Sequence, residues 1–176
     1  MRWFSNSLVL IISCLCLAQR PDGRIFIVGE YSNMRFTGEH QYGYSVELYR
    51  QGDTIFGLLL VAEGLDGDTP AGILEDVEYE PASEKLSFNV KLSVGAAVHD
   101  EKSVPSRDYF EFDGKLERTV LSGTLKRFDK LNPELAPQSI QVRLAKGKGE
   151  SMENYASYAS WKKAAGEILK TRGPKW

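Results

Sequence analysis

Apolar residues recur at every second position from Arg24 to about Lys146, and turn-forming residues interrupt this alternation repeatedly. Successive side chains of a β-strand point to opposite faces, so a period of two predicts strands with one buried face. Many short strands, separated by turn residues at intervals of about 8 to 12 positions, are typical of an all-β sandwich or barrel. The length of 176 residues suits one such domain.

Eight runs carry the alternation, and we interpret each of them as a strand. They are Arg24–Thr37, Tyr42–Arg50, Thr54–Glu63, Gly72–Glu80, Lys85–Ser93, Asp108–Glu117, Val120–Phe128 and Ser139–Ala145. Asp113-Gly114 usually marks a hairpin, but Phe110, Phe112 and Leu116 keep one phase through it, which places this pair within a strand. If Asp113-Gly114 is a turn instead, the number of strands rises by one.

An open sheet of eight strands exposes two edges, and closure into a barrel removes them. We therefore predict an eight-stranded antiparallel up-and-down β-barrel over residues 19–146. The 95–107 segment is expected to be a polar loop.

The hydrophobic period changes near the end of the chain. From about Ser151 to Thr171 the apolar residues are spaced as on one face of a helix. They are Tyr155, Tyr158, Trp161, Ala165, Ile168 and Leu169. We expect residues 147–176 to contribute a C-terminal α-helix that packs on the barrel. The alternative is a helix that binds a partner or a membrane surface.

Residues 1–18 have the pattern of a signal peptide. Arg2 supplies a positive start, Leu8–Cys16 form a short apolar run, and small residues precede a cleavage point after Ala18. The apolar run is shorter than the roughly 20 residues that span a bilayer. The chain is therefore expected to be exported, as a periplasmic or secreted protein.

A second interpretation of the same segment changes how the protein is anchored. Ile11-Ile12-Ser13-Cys14 resembles the lipobox of bacterial lipoproteins, in which the cysteine is acylated and becomes the mature N-terminus. Association with a membrane is expected only if Cys14 is lipidated in this way. Cleavage after Ala18 instead removes both cysteines, so the mature chain has no thiol nucleophile, disulfide or cysteine-ligated zinc.

The charge balance argues against nucleic acid as a partner. There are 22 basic and 24 acidic residues, which gives a net charge of −2. Proteins that bind nucleic acid neutralise phosphates with an excess of basic residues, and this chain has none.

Gly29-Glu30-Tyr31-Ser32-Asn33 on the first predicted strand resembles the Gly-x-Trp opening strand of lipocalins and of avidin-type barrels. Tyr31 stands where those families have tryptophan. The resemblance implies a calycin-like barrel. It also implies that an arginine of a late strand packs over the aromatic ring, and Arg127 or Arg143 is the candidate here.

The alternation also places several polar side chains on inward faces. Glu75 shares a phase with Ile73, Val77 and Tyr79, and a carboxylate on such a face needs a partner or water. Arg127 is inward by the same count. We predict a ligand site formed by Tyr42, Tyr44, Glu75, Tyr79 and Arg127. The alternative is that Glu75 reaches solvent, either at a strand end or because a bulge inverts the phase.

Other chemistry has weaker support. His40 and His99 fall in separate turns, and a metal site needs three or four converging ligands. Asp66-Gly67-Asp68 lacks the rest of a calcium loop, so a turn is favoured. The sequence contains neither a phosphate loop nor a dinucleotide fingerprint, so no cofactor is expected, and we assign neither catalytic nor metal-binding residues.

Three functions remain open. The first is a binding protein that holds a small apolar or amphipathic molecule inside the barrel. The second is an interaction or inhibitor module with a filled core, whose partner is a protein of the cell envelope and whose loops 63–70 and 95–107 make contact. The third is an enzyme on a calycin-like barrel, which requires a histidine beside a carboxylate in a pocket.

Overall fold

The computed structural model describes residues 23–65, 69–148 and 152–176. The predicted signal peptide, the cleavage point after Ala18 and the lipobox cysteine lie outside these residues. The described chain is mostly β-structure with one C-terminal helix. The strands are β1 Phe26–Ser32, β2 Arg35–Thr37, β3 His40–Gln51, β4 Thr54–Leu65, β5 Ala71–Ile73, β6 Glu75–Glu80, β7 Lys85–Leu92, β8 Ala96–His99, β9 Lys102–Pro105, β10 Asp108–Leu116, β11 Val120–Asp129 and β12 Gln138–Lys146, and the helix is α1 Tyr158–Arg172.

Ten of the twelve strands form one antiparallel sheet. Its order is β5-β4-β3-β1-β12-β11-β10-β7-β6, with β2 paired to the start of β3. The two outermost strands, β5 and β6, are consecutive along the chain and are separated by Leu74 alone. Because one segment pairs with β4 at its start and with β7 at its end, the sheet curls into a nearly closed barrel.

The prediction of eight strands is wrong, and local hydrogen bonds explain the higher number. The first predicted strand is divided at Asn33, whose Oδ1 accepts a hydrogen bond of 2.8 Å from the Tyr44 N–H. The fourth is divided at Leu74, where its pairing passes from β4 to β7. The predicted 95–107 loop contains the β8–β9 hairpin, a separate two-stranded sheet that turns at Asp100 and Glu101 with positive φ.

The placement of Asp113-Gly114 within a strand is confirmed, since β10 is continuous from Asp108 to Leu116. Gly114 lies directly opposite Gly123 of β11. A Cβ atom at Gly123 would lie 2.6 Å from the Gly114 Cα and 3.0 Å from Cζ of Phe112. Two glycines therefore allow the Phe112 ring to lie against the backbone of both strands.

The helix packs on the outer face of β3 and β4. Trp161 and Ala165 are its buried residues, and the Trp161 ring lies 4.6 Å from that of Phe56 and 6.2 Å from that of Tyr49. The helix begins at Tyr158 and not near Ser151, because Ser157 is an extended N-cap whose side chain and that of Ser160 form a capping box. Tyr155, which precedes the helix, still packs edge-on against Tyr49.

Among the described residues, no helix has the length and apolar character needed to cross a membrane.

The close approach of Gly114 and Gly123 leads to a stability prediction. We expect Gly123→Ala to destabilise the protein by about 1–3 kcal/mol, because the added methyl group must displace backbone atoms or the Phe112 ring. Gly166→Ala is the matched control, since a Cβ atom there meets no atom within 4 Å and alanine favours a helix by up to about 1 kcal/mol. Urea unfolding of both variants measures the two changes, and equal effects would contradict this account.

Candidate functional site

The lumen of the barrel is filled by apolar side chains. Alternate residues of the strands point inward, and they form one contiguous buried cluster. Its largest members include Tyr31, Phe88, Phe110 and Phe112, each at most 3% exposed. Because these rings occupy the space in which a ligand would lie, the functional surface has to be sought at the ends or the outside of the barrel.

One end of the barrel is closed around Tyr31. Lys146, the last residue of β12, places its Nζ 5.7 Å from the centre of the Tyr31 ring and donates a hydrogen bond of 2.6 Å to the Val28 carbonyl. The expectation that Arg127 or Arg143 lies over this ring is therefore wrong. Gly29 has a φ of +152°, and a Cβ atom there would lie 2.5 Å from the Lys146 side chain, which accounts for the Gly-x-Tyr spacing.

The opposite end carries an ion-pair network in which Asp108 is buried, Arg127 is partly buried and Glu63 is exposed. It lies where β4 and β11 end and β10 begins. Arg127 Nε donates a hydrogen bond of 2.9 Å to Asp108, and its Nη1 donates to both carboxylate oxygens of Glu63 at 2.8 and 2.9 Å. Asp108 also accepts hydrogen bonds from the Ser106 hydroxyl and, at 2.9 Å, from the Val94 N–H. The network therefore joins β4, β10 and β11 across the mouth of the barrel.

Burial and neighbouring charges shift the pKa values of Arg127 and Tyr44 at this end. Burial opposes the positive charge of Arg127, but the hydrogen bonds and charges of Asp108 and Glu63 outweigh it and raise the pKa of Arg127. The guanidinium also lies 5.7 Å from the centre of the Phe110 ring. Burial raises the pKa of the Tyr44 hydroxyl, the negative charge of Glu63 raises it further, and Arg127 partly offsets both effects.

Two of the predicted site residues join Arg127 at this end. Tyr44 is half-buried against the core cluster. Tyr42, two residues earlier on β3, stands directly opposite Glu63 of β4 and stacks on His40 at 6.1 Å. The structure thus brings together Tyr42, Tyr44 and Arg127.

The inward placement of Glu75 is wrong. Its side chain is 48% exposed and forms an ion pair of 3.7 Å with Lys91 on the outer face of β7. Asp76 has a positive φ of 49°, and the pairing of β6 with β7 shifts between Glu75 and Glu78. This β-bulge inverts the alternation, so Val77 packs against the core while Glu75 points to solvent.

Tyr79 also lies away from the charged network. It belongs to the last part of β6, near the 81–84 turn, and packs against the apolar core cluster. The predicted site is therefore divided among three places. Tyr42, Tyr44 and Arg127 lie at the end with the charged network, Glu75 lies on the outer face of the sheet, and Tyr79 lies in the core near the 81–84 turn.

A cleft of about 270 Å³ lies above the charged network. Asp108, Arg127 and Asp129 line it, together with Ala97 of β8 and Leu135 of the 130–137 loop. Asp129 accepts a hydrogen bond of 2.8 Å from the Leu131 N–H and one of 2.7 Å from the Asn132 amide. The Asn132 hydrogen bond is the main reason that the pKa of Asp129 is lowered.

The histidines do not lie in this cleft. His99 forms a contact of 3.7 Å with Asp100 at the exposed turn of the β8–β9 hairpin, and His40 lies on the stacked Tyr42 ring. Within the described ranges, no three of histidine, cysteine, aspartate and glutamate come together as ligands for a metal ion.

Sequence reasoning missed two members of the network, Asp108 and Glu63. Asp108 is in phase with Phe110 and Phe112, so alternation alone would have placed its carboxylate inside the barrel beside Arg127. The inward face of β4 was ambiguous because both of its faces are apolar. Its outer face, which includes Phe56 and Leu58, is covered by α1 and its flanking segments.

No family model, no curated protein and no solved structure gives a match to this chain.

The network leads to a prediction about stability. Asp108→Ala is expected to destabilise the protein by about 3 kcal/mol, because Arg127 and Ser106 lose a buried partner that is only 5% exposed. Glu63→Ala should cost less than about 1 kcal/mol, since this carboxylate is 40% exposed. Double-mutant cycles with Arg127→Met, measured by urea unfolding, give the two coupling energies, and a larger coupling for Glu63 would contradict this interpretation.

Proposed function

We propose that the chain is an exported protein-binding module that engages a protein of the cell envelope through the loop end of its barrel. The loop end is the end at which the 33–39, 93–107 and 130–137 connections lie. Export is supported by the signal-peptide pattern of residues 1–18, whether cleavage follows Ala18 or the chain is lipidated at Cys14.

A single observation carries the proposal: large apolar side chains are exposed at the loop end, on three separate connections and at the start of β3, while the lumen behind them is filled. Phe36 is 65% exposed, Tyr42 47%, Val98 76% and Leu135 60%. Contiguous apolar surface exposed to solvent marks sites of protein–protein contact, and we propose that these side chains contribute to one such surface. A filled lumen removes the space that a ligand inside the barrel needs.

The β8–β9 hairpin supports the same conclusion. It forms a sheet of its own, outside the barrel, and carries Val98 on an exposed face. A two-stranded hairpin gains little stability by itself in water. Its base is held by a backbone hydrogen bond of 3.0 Å from Ser106 to Gly95. We interpret the hairpin as an arm that presents Val98 to the partner.

We also propose that the barrel has a calycin-like architecture. If β5 and β6 are counted as one interrupted strand, the barrel wall has eight strands in up-and-down order. This is the plan of the calycin-like barrels that the Gly29-x-Tyr31 motif resembles. The contact of Lys146 with Tyr31 and Gly29 supports it.

A small ligand at the mouth is the second candidate function. The cleft of about 270 Å³ beside Arg127 favours it, with Tyr42 and Tyr44 nearby on β3. This volume is below the roughly 300–1,000 Å³ of sites that bury a drug-sized molecule. Native mass spectrometry of the mature protein tests this candidate, since a retained small molecule would favour it over a protein partner.

Site-specific photo-crosslinking in cells tests the protein-binding function. With p-benzoylphenylalanine in place of Val98 or Leu135, we expect a discrete adduct with the same protein from both positions, because both side chains lie in the proposed interface. Phe26 is the matched control, since it is 54% exposed but lies at the opposite end of the barrel. Absence of adducts from Val98 and Leu135, or an identical adduct from Phe26, would contradict the proposal.

A further inference from the structure

The cleft at the loop end has two kinds of surface. Its sides are small or apolar and come from two separate connections, Ala96 and Ala97 on β8 and Leu135 and Ala136 on the 130–137 loop. Its floor is polar and includes Asp108, Arg127 and Asp129. The cleft is therefore amphipathic, with apolar walls above a charged base.

The charged base has an excess of negative charge. Two carboxylates of the lining, Asp108 and Asp129, stand near one guanidinium, that of Arg127. The neighbouring cation, Lys130, lies over the outward-facing rings of Tyr109 and Phe128, with its Nζ 4.6 and 5.2 Å from their centres. Its charge is therefore directed toward the outer surface of the sheet, and the cleft keeps a net negative floor.

Asp129 is the carboxylate best placed to meet an incoming group. Its two accepted hydrogen bonds, from Leu131 and Asn132, fix its orientation. A carboxylate has about four acceptor sites, so it can accept further donors. Asp108, in contrast, is buried and already has three partners.

Apolar walls above an anionic floor complement the side chain of a basic residue, which has an apolar stem and a cationic head. The volume of about 270 Å³ is suited to one side chain and not to a drug-sized molecule. We infer that the cleft is an anchor pocket for an arginine or lysine side chain of the protein partner. This inference rests on the proposed protein-binding function and names the chemistry of the partner.

Titration with a blocked amino acid tests the anchor pocket directly. The probe is N-acetyl-arginine methylamide, and the matched neutral probe is N-acetyl-citrulline methylamide, which has nearly the same shape without the charge. In amide spectra of the ¹⁵N-labelled protein, we expect the arginine probe to shift Ala97, Asp129 and Leu135 and to bind about fivefold more tightly than the citrulline probe, as for a partly exposed ion pair. Equal affinities, or shifts that map elsewhere, would overturn the inference.

Two variants locate the interaction. Asp129→Asn is expected to weaken arginine binding about fivefold, the effect of one partly exposed ion pair. Glu134→Gln is its control. Glu134 is an exposed residue of the neighbouring loop, and its carboxylate does not line the cleft. Ala97→Leu is expected to block the cleft without changing charge, which keeps the test valid if Asp129→Asn disturbs the loop. Equal weakening by Glu134→Gln would contradict the inference.

The two proposals fail in different ways. If Val98, which does not line the cleft, forms the crosslinked adduct, and Asp129→Asn and Ala97→Leu leave its yield unchanged, the anchor pocket is wrong while the protein-binding function stands. If neither position forms an adduct, the protein-binding function is wrong even when the arginine probe binds. Loss of the adduct in both variants, with Glu134→Gln unaffected, supports both proposals.

Discussion

The barrel depends on how one segment satisfies the two edges of the sheet. β5 pairs with β4 and β6 pairs with β7, and the two strands are joined at Leu74. Leu74 donates a backbone hydrogen bond of 3.0 Å to Gly57 and buries its side chain in the core. Without this crossing the sheet would expose unpaired backbone on β4 and β7. The segment changes neighbours at Leu74, and the bulge that follows at Asp76 turns Val77 toward the core while Glu75 faces outward.

The filled lumen leaves the ends and the outer faces of the barrel as candidate binding surfaces, and the two ends differ in chemistry. Around Tyr31 the end is closed by the Lys146 side chain and by main-chain hydrogen bonds, including one of 2.8 Å from Gly147 to Glu30. At the loop end, the ion pairs of Arg127 replace apolar packing. A buried charge tolerates few arrangements because each polar atom requires a partner. The network therefore fixes the relative positions of β4, β10 and β11, the strands that border the loop end.

Most of the barrel was predictable from sequence because alternation encodes the inward face of each strand. The phase of β10 was predicted correctly, including the continuous strand through Asp113-Gly114, and so was the inward placement of Arg127 on β11. The errors arose where the period of two is interrupted or hidden. A positive φ at Asp76 is not encoded by a residue type such as glycine, so the sequence left the bulge only as an alternative to an inward Glu75. On β4 both faces are apolar, because the outer face packs against α1. Alternation therefore does not show that Glu63 belongs to the inward face.

The pairing of β1 with β12 has a consequence for the order in which the protein folds. Tyr31 and Lys146 are register partners, although one belongs to the first strand and the other to the last. A ribosome must therefore synthesise nearly the entire domain before this pair can form. Such a non-local pairing forms slowly, because loop-closure entropy is lost before the contacts are gained. The nascent chain thus passes through the exit tunnel before its first strand has both neighbours.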